Sequence, residues 1–122
     1  MKIYESAQDY LETILILSKN SANVRSIDIA NEMNITKQSV HRAIKNLKNG
    51  EYILVDNNGY ITLSKKGKEI AEEMYERHQL LTKYFVSLGV NEKTALKDAC
   101  KVEHYLSDET YQAIKKIAQN NK

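Results

Sequence analysis

The stretch from Thr36 to Leu63, TKQSVHRAIKNLKNGEYILVDNNGYITL, changes its period in the middle, and that change decides the fold. Up to Leu47 the apolar residues Val40, Ala43, Ile44 and Leu47 recur at steps of three and four, the spacing of one helix face. Thr36 offers a side-chain oxygen where a helix from Lys37 to Lys48 needs an N-cap, and Asn49-Gly50 stops that helix. Two short β-prone runs follow, Tyr52–Val55 and Tyr60–Leu63, joined by Asp56-Asn-Asn-Gly59, a polar hairpin tip ending in glycine.

Upstream, Ser26 is placed to cap a short helix carrying Ile27, Ile29, Ala30 and Met33, with Asn34 at its end. A first helix is predicted from Ala7 to Lys19. Ser6-Ala-Gln-Asp9 has capping-box spacing, and Tyr10, Leu11, Ile14, Leu15 and Leu17 follow at helical intervals. Three helices, the last two joined by a tight turn, and then a β-ribbon make a winged helix-turn-helix, whose second helix enters a major groove about 12 Å wide. Its outward face carries Lys37, Gln38, Ser39, His41, Arg42 and Lys45. Arg42 and Gln38 suit base edges, whereas Thr36, Ser39 and Lys45 suit phosphate oxygens; Lys65 and Lys66, just past the hairpin, can hold the flanking backbone.

Charge placement agrees with a double-stranded DNA partner. From Thr36 to Lys68 seven bases face two acids, whereas from Glu69 to the end eight bases face nine acids, on a chain of net charge +2. A basic block on a near-neutral chain is an electrostatic footprint for phosphate.

Downstream, Ser64 can cap a long helix from Lys65 to Leu88, whose Ile70, Met74, His78, Leu81 and Phe85 form one stripe before Gly89 closes it. A break at Asn91 precedes a helical stretch from Thr94 to Leu106. Ser107, Asp108 and Glu109 open a last helix to Gln119, and Asn120-Asn-Lys122 is a frayed end. The fold class is mainly α, with a winged-helix domain at 1–68 and an all-helical domain at 69–122.

Composition excludes other classes. With no Pro, 4 Gly, 42% hydrophobic and 28% charged residues, the 122 residues suit one compact unit or two small ones built from long helices, and they leave no room for a large catalytic scaffold. No apolar run reaches the roughly 18 residues that span a bilayer, and Met1-Lys2-Ile3-Tyr4-Glu5 turns polar before a leader core can form, so a cytoplasmic protein with no membrane partner is expected. Cys100 is the only cysteine and cannot form an internal disulfide.

Metal-donor residues recur at helical spacing. Asp9 and Glu12 stand at i and i+3; Cys100, Glu103 and His104 stand at i, i+3 and i+4; His78 lies on the inward stripe of the long helix. Each has an ordinary alternative: Asp9 a reciprocal cap for Ser6, Glu12 a solvated charge, His78 a core histidine, Cys100 a small buried hydrophobe. A carboxylate and an imidazole on a packing face are costly without a partner, and convergence of these groups makes a mixed O, N and S donor set suited to Mn²⁺, Fe²⁺ or Co²⁺.

Together the runs Asp9-Tyr-Leu-Glu12-Thr-Ile, Ile27 to Leu47, Leu63-Ser-Lys-Lys-Gly67, Arg77-His78-Gln-Leu-Leu81 and Cys100-Lys-Val-Glu103-His104-Tyr-Leu-Ser107 resemble the diphtheria-toxin-repressor and manganese-transport-regulator family. The resemblance implies a homodimer, a C-terminal helical domain that dimerises, and a site binding Fe²⁺ or Mn²⁺, with Co²⁺, Ni²⁺ or Zn²⁺ able to substitute in vitro. By position Asp9, Glu12, His78, Glu103 and His104 match the manganese-type ligands. Cys100 stands where the manganese branch has a bridging glutamate and the iron branch a cysteine, and Asp9 where the iron branch has methionine. Thr82 and Leu96 stand where an ancillary site would need Glu and His, and the extra Src-homology-like domain of larger members is not expected. The function expected is a metal-dependent repressor of metal-homeostasis genes acting on a palindromic operator. A metal-independent winged-helix regulator is the alternative. An enzyme using Cys100 and His104 as nucleophile and base is disfavoured, because no glycine-rich loop or oxyanion hole accompanies them.

Overall fold

The computed structural model describes residues 5–120; the polar start Met1 to Tyr4 and the last two residues of the tail lie outside them. The elements are α1 (Glu5–Asn20), α2 (Ser26–Met33), α3 (Lys37–Asn49), β1 (Ile53–Val55), β2 (Ile61–Leu63), α4 (Lys65–Ser87), α5 (Glu92–Val102) and α6 (Asp108–Asn120). Two compact units divide within α4, after Glu72. No described helix is long and apolar enough to cross a membrane.

In the first unit α1, α2, α3 and the hairpin enclose Leu11, Ile14, Val24, Ile29, Val40, Ile53 and Ile61, all essentially without solvent. Truncating any of the leucine or isoleucine side chains among these to Ala would cost about 2–5 kcal/mol. The turn between α2 and α3 is tight because Asn34 takes a left-handed φ of 56°, and its amide and that of Ile35 both turn back to the Ala30 carbonyl. Thr36 then caps α3, its hydroxyl oxygen accepting from the Ser39 amide at 3.1 Å.

Three local expectations change. α1 is already helical at Glu5, so Ser6 lies inside it rather than at its N-cap. Arg25, not Ser26, is the N-cap of α2; its amide donates to the Asp28 carboxylate at 2.9 Å, and Ser26 is the first helical residue. Ile27 is 42% exposed, because so short a helix turns a single arc inward and Ile29 and Ala30 fill it.

β1 and β2 pair antiparallel with Ile53 opposite Leu63 and Val55 opposite Ile61. At the tip one Asp56 carboxylate oxygen accepts from the amides of Asn58 (2.8 Å) and Tyr60 (2.9 Å), and Gly59 takes a φ of 81° that only glycine adopts without strain. At the base Ser64 caps α4, accepting from the Gly67 amide (3.1 Å) and donating to the Glu51 carbonyl (2.7 Å). Gly67 lies so close to the hairpin that a Cβ there would stand 2.0 Å from the Tyr52 carbonyl oxygen.

The second unit comprises the rest of α4 with α5 and α6. Gly89, at φ 101°, ends the chain's reversal after α4, and Asn91 caps α5 by accepting from the Lys93 amide at 2.9 Å. Met74, Leu81, Ala95, Ala99 and Tyr111 are buried. The expected stripe along α4 is corrected at one place: Ile70, His78 and Phe85 are half-buried, whereas Arg77 is buried in line with Met74 and Leu81. α5 ends at Val102 rather than Leu106, so Glu103 and His104 lie in the turn that leads to α6. Ser107 caps α6, its hydroxyl oxygen accepting from the Thr110 amide at 3.1 Å.

Candidate metal centre and nucleic-acid interface

Within the second unit, α4 supplies His78, α5 supplies Cys100, and the turn after α5 supplies Glu103 and His104. One donor atom each from His78, Cys100 and Glu103 lies within 4.8 Å of the others. Donors sharing one ion through bonds of about 2.0–2.3 Å stand at most about 4.5 Å apart, so the cluster is nearly at coordination spacing. His78 Nδ1 is 3.1 Å from Glu103 Oε2, and His104 Nε2 is 3.4 Å from Glu103 Oε1.

The Glu103 carboxylate is 0% exposed, the His104 side chain only 1%, and Glu103 Oε1 is buried without a hydrogen-bond partner. A withdrawn carboxylate with an oxygen that accepts no hydrogen bond costs several kcal/mol unless positive charge beside it compensates. Two imidazoles, a carboxylate and a sulfur are the donors of a transition metal rather than of Ca²⁺ or Mg²⁺, so the residues fit the ion that the motif implies. Hydrogen bonding to Cys100 first, and then to Glu103, holds the His78 pKa up at about 10 against the opposing effect of burial. A proton on this ring thus supplies the positive charge the cluster requires.

Cys100 is exposed rather than the buried hydrophobe that a lone cysteine usually is, and an exposed sulfur is accessible to an entering ion. Asp9 and Glu12 stand on α1 in the first unit, Asp9 half-buried and Glu12 only 8% exposed, so Glu12 is not a solvated surface charge.

The residues expected to face DNA lie on the first unit. Thr36, Lys37, Gln38, Ser39, His41, Arg42, Lys45 and Lys65 are all exposed. The Thr36 hydroxyl donates to the Ser39 hydroxyl at 3.0 Å, so both side chains serve the N-terminus of α3 as well as facing out. Lys66 is committed elsewhere: its ammonium lies 4.2 Å from the Tyr52 ring centroid and donates to the Gly50 carbonyl at 3.2 Å. Between α3 and the hairpin tip a cleft of about 380 Å³ is lined by Arg25, Ser26, Lys37, His41, Asn58 and Gly59.

Sequence reasoning assigned no role to two basic residues. Arg25 stacks its guanidinium 4.7 Å from the Tyr60 ring, bracing the hairpin beside α3. Arg77 is 5% exposed and donates through Nη1 to the carbonyls of Glu103 (3.1 Å) and Leu106 (2.9 Å). The available signal for Arg77 was a charged residue three positions after Met74 and four before Leu81, on a stripe that is otherwise apolar.

Residues 2–68 match the family profile of the iron-dependent repressor N-terminal DNA-binding domain, and residues 64–122 that of the iron-dependent repressor metal-binding and dimerisation domain. An uncharacterised helix-turn-helix transcriptional regulator of Methanocaldococcus jannaschii is 35% identical over 113 residues, 91% of this chain and 90% of that protein. The helix-turn-helix transcriptional regulator MntR of Geobacillus thermodenitrificans is 33% identical over 102 residues, 84% of this chain and 72% of its own length. Among solved structures, the manganese regulator SloR superposes with a TM-score of 0.84 at 26% identity over 95% of this chain; the chain spans 54% of that structure. The chain therefore belongs to the iron-dependent repressor family, whose members are metal-dependent, DNA-binding transcriptional regulators and not enzymes.

Proposed function

We propose that this protein is a cytoplasmic homodimeric repressor of metal-homeostasis genes that grips a palindromic double-stranded operator when Fe²⁺ or Mn²⁺ is bound. The observation that carries the reading is the fully buried Glu103 carboxylate, set beside His78 and His104 with one oxygen accepting no hydrogen bond. His78, Cys100, Glu103 and His104 would hold the ion, which supplies the positive charge the carboxylate requires. Asp9 and Glu12, which the sequence motif adds to the set, are proposed as the ligands from α1. The sulfur of Cys100 favours Fe²⁺, and the two α1 acids keep Mn²⁺ competitive.

On the DNA side, Arg42 and Gln38 would read base edges, and Thr36, Lys37, Ser39, His41, Lys45 and Lys65 would hold phosphates. A metal can favour the gripping arrangement only as far as it binds that arrangement more tightly than the others. Anaerobic calorimetry with Fe²⁺ and Mn²⁺, followed by fluorescence anisotropy on operator fragments with and without each ion, tests the whole reading. The expected result is saturable metal binding together with operator affinity that rises on metal addition. Operator binding indifferent to every divalent ion would return the metal-independent regulator.

A further inference from the structure

We propose that Arg77 is the positioning residue of the metal centre, holding the Glu103–His104 turn against His78 so that ligands from two elements keep one geometry. The proposal rests on the reading of this cluster as a metal site. Among the buried residues described, Arg77 is the only arginine or lysine.

Its Nη1 donates to the carbonyls of Glu103 and Leu106, on either side of His104, beyond the point where α5 ends at Val102. Carbonyls past a helix end lack an amide from the next turn, and a cation there is doubly favourable. Arg77 directly precedes His78 in the chain, so the bond to the Glu103 carbonyl closes a short ring that contains both His78 and Glu103.

The guanidinium has further neighbours besides the two carbonyls that set its position. It lies 4.7 Å from the Tyr111 ring centroid, Nη2 is 3.4 Å from Glu73 and 3.8 Å from Asp108, and Nε is buried without a partner. Leaving Nε unpaired costs free energy that a simple surface ion pair would not incur. The planar fork is what allows one side chain to serve two carbonyls and a carboxylate at once, and a lysine ammonium cannot reproduce that plane.

The test compares the full-length chain with Arg77→Lys and Tyr111→Leu. Tyr111→Leu removes the stacking ring while leaving the carbonyl bonds in place. Each protein is held well below its own melting temperature and loaded with Co²⁺ as a spectroscopic probe, and Mn²⁺ affinity is measured by calorimetry. Groups that orient metal ligands are worth about 10–100-fold in affinity, so Arg77→Lys is expected to lose at least about tenfold and to shift the Co²⁺ ligand-field bands. Tyr111→Leu is expected to melt earlier with unchanged bands and an affinity within about twofold of the parent.

Unchanged bands and affinity in Arg77→Lys, or an equal loss in Tyr111→Leu, would overturn the positioning role. A parent chain that binds neither Co²⁺ nor Mn²⁺ would instead remove the metal reading beneath it, and this role with it. Should Arg77→Lys fail to fold, hydrogen exchange on the unaltered chain decides the matter. Metal-free protein should protect the amides of residues 105 and 106 as strongly as those of α4 around residue 77, and rapid exchange in that turn would refute the proposal.

Discussion

In the first unit the charged side chains of α3 stand out in solvent, whereas in the second Arg77, Glu103 and His104 are withdrawn from it. The exposed set pays little desolvation, gains little from any one neighbour, and is suited to a polyanion met through water. The buried set is held in a low dielectric, where each charge must be matched by a partner placed to within a fraction of an ångström. Removing a group should therefore have graded effects on the exposed α3 face and steep ones in the buried cluster.

The steepest break in that contrast is expected from Glu103→Gln. Losing the central carboxylate should lower Mn²⁺ affinity by more than the roughly 100-fold that bounds the effect of groups merely orienting ligands, and it should remove metal-responsive operator binding. Calorimetry with anisotropy reads both, and a retained metal response would end the assignment of the cluster.

Acidity should act next, with opposite signs on two quantities. The folded His78 titrates at about 10 against an ordinary 6.5, so its stabilising contribution to the metal-free fold is complete below pH 6.5 and is lost as pH rises through 10. A metal needs the neutral ring, so apparent Mn²⁺ affinity should rise about tenfold per pH unit within that same window, with about one proton released from His78 per ion. Titration calorimetry in buffers of differing protonation enthalpy measures the release; a pH-independent affinity would contradict it.

On the exposed face Arg42→Ala should cost about 1–3 kcal/mol of operator affinity and relax base preference, leaving Mn²⁺ binding unchanged. Competition between operator variants checks it. The smallest effect is expected from Thr36→Ala, about 1 kcal/mol of stability through loss of the α3 cap, read as an earlier thermal transition.

The same contrast explains what was legible in the sequence. Val40, Ile44 and Leu47, the Thr36 cap and the Asp56–Gly59 tip act over a few residues, so spacing alone foretold α3 and the hairpin. Cys100, Glu103 and His104 were legible as a motif, but Glu103 and His104 were not legible as residues of a turn, because α5 was read through to Leu106 when it stops at Val102. Capping-box spacing at Ser6 misled because α1 is already helical at Glu5, and four-residue spacing cannot say which residue comes first. Arg77 and Arg25 took their roles from partners distant in the chain: the carbonyls of Glu103 and Leu106 for one, the Tyr60 ring for the other. No window of local sequence contains both halves of such a contact.

The close approach of Gly67 to the Tyr52 carbonyl has a genetic corollary. Even alanine at position 67 would drive a methyl into backbone that cannot yield as a side chain does, prising the start of α4 from the base of the hairpin. Among alleles selected for derepression, changes at codon 67 should form a class of their own: defective on the operator, yet still able to deplete a medium of manganese when the purified protein is dialysed against it.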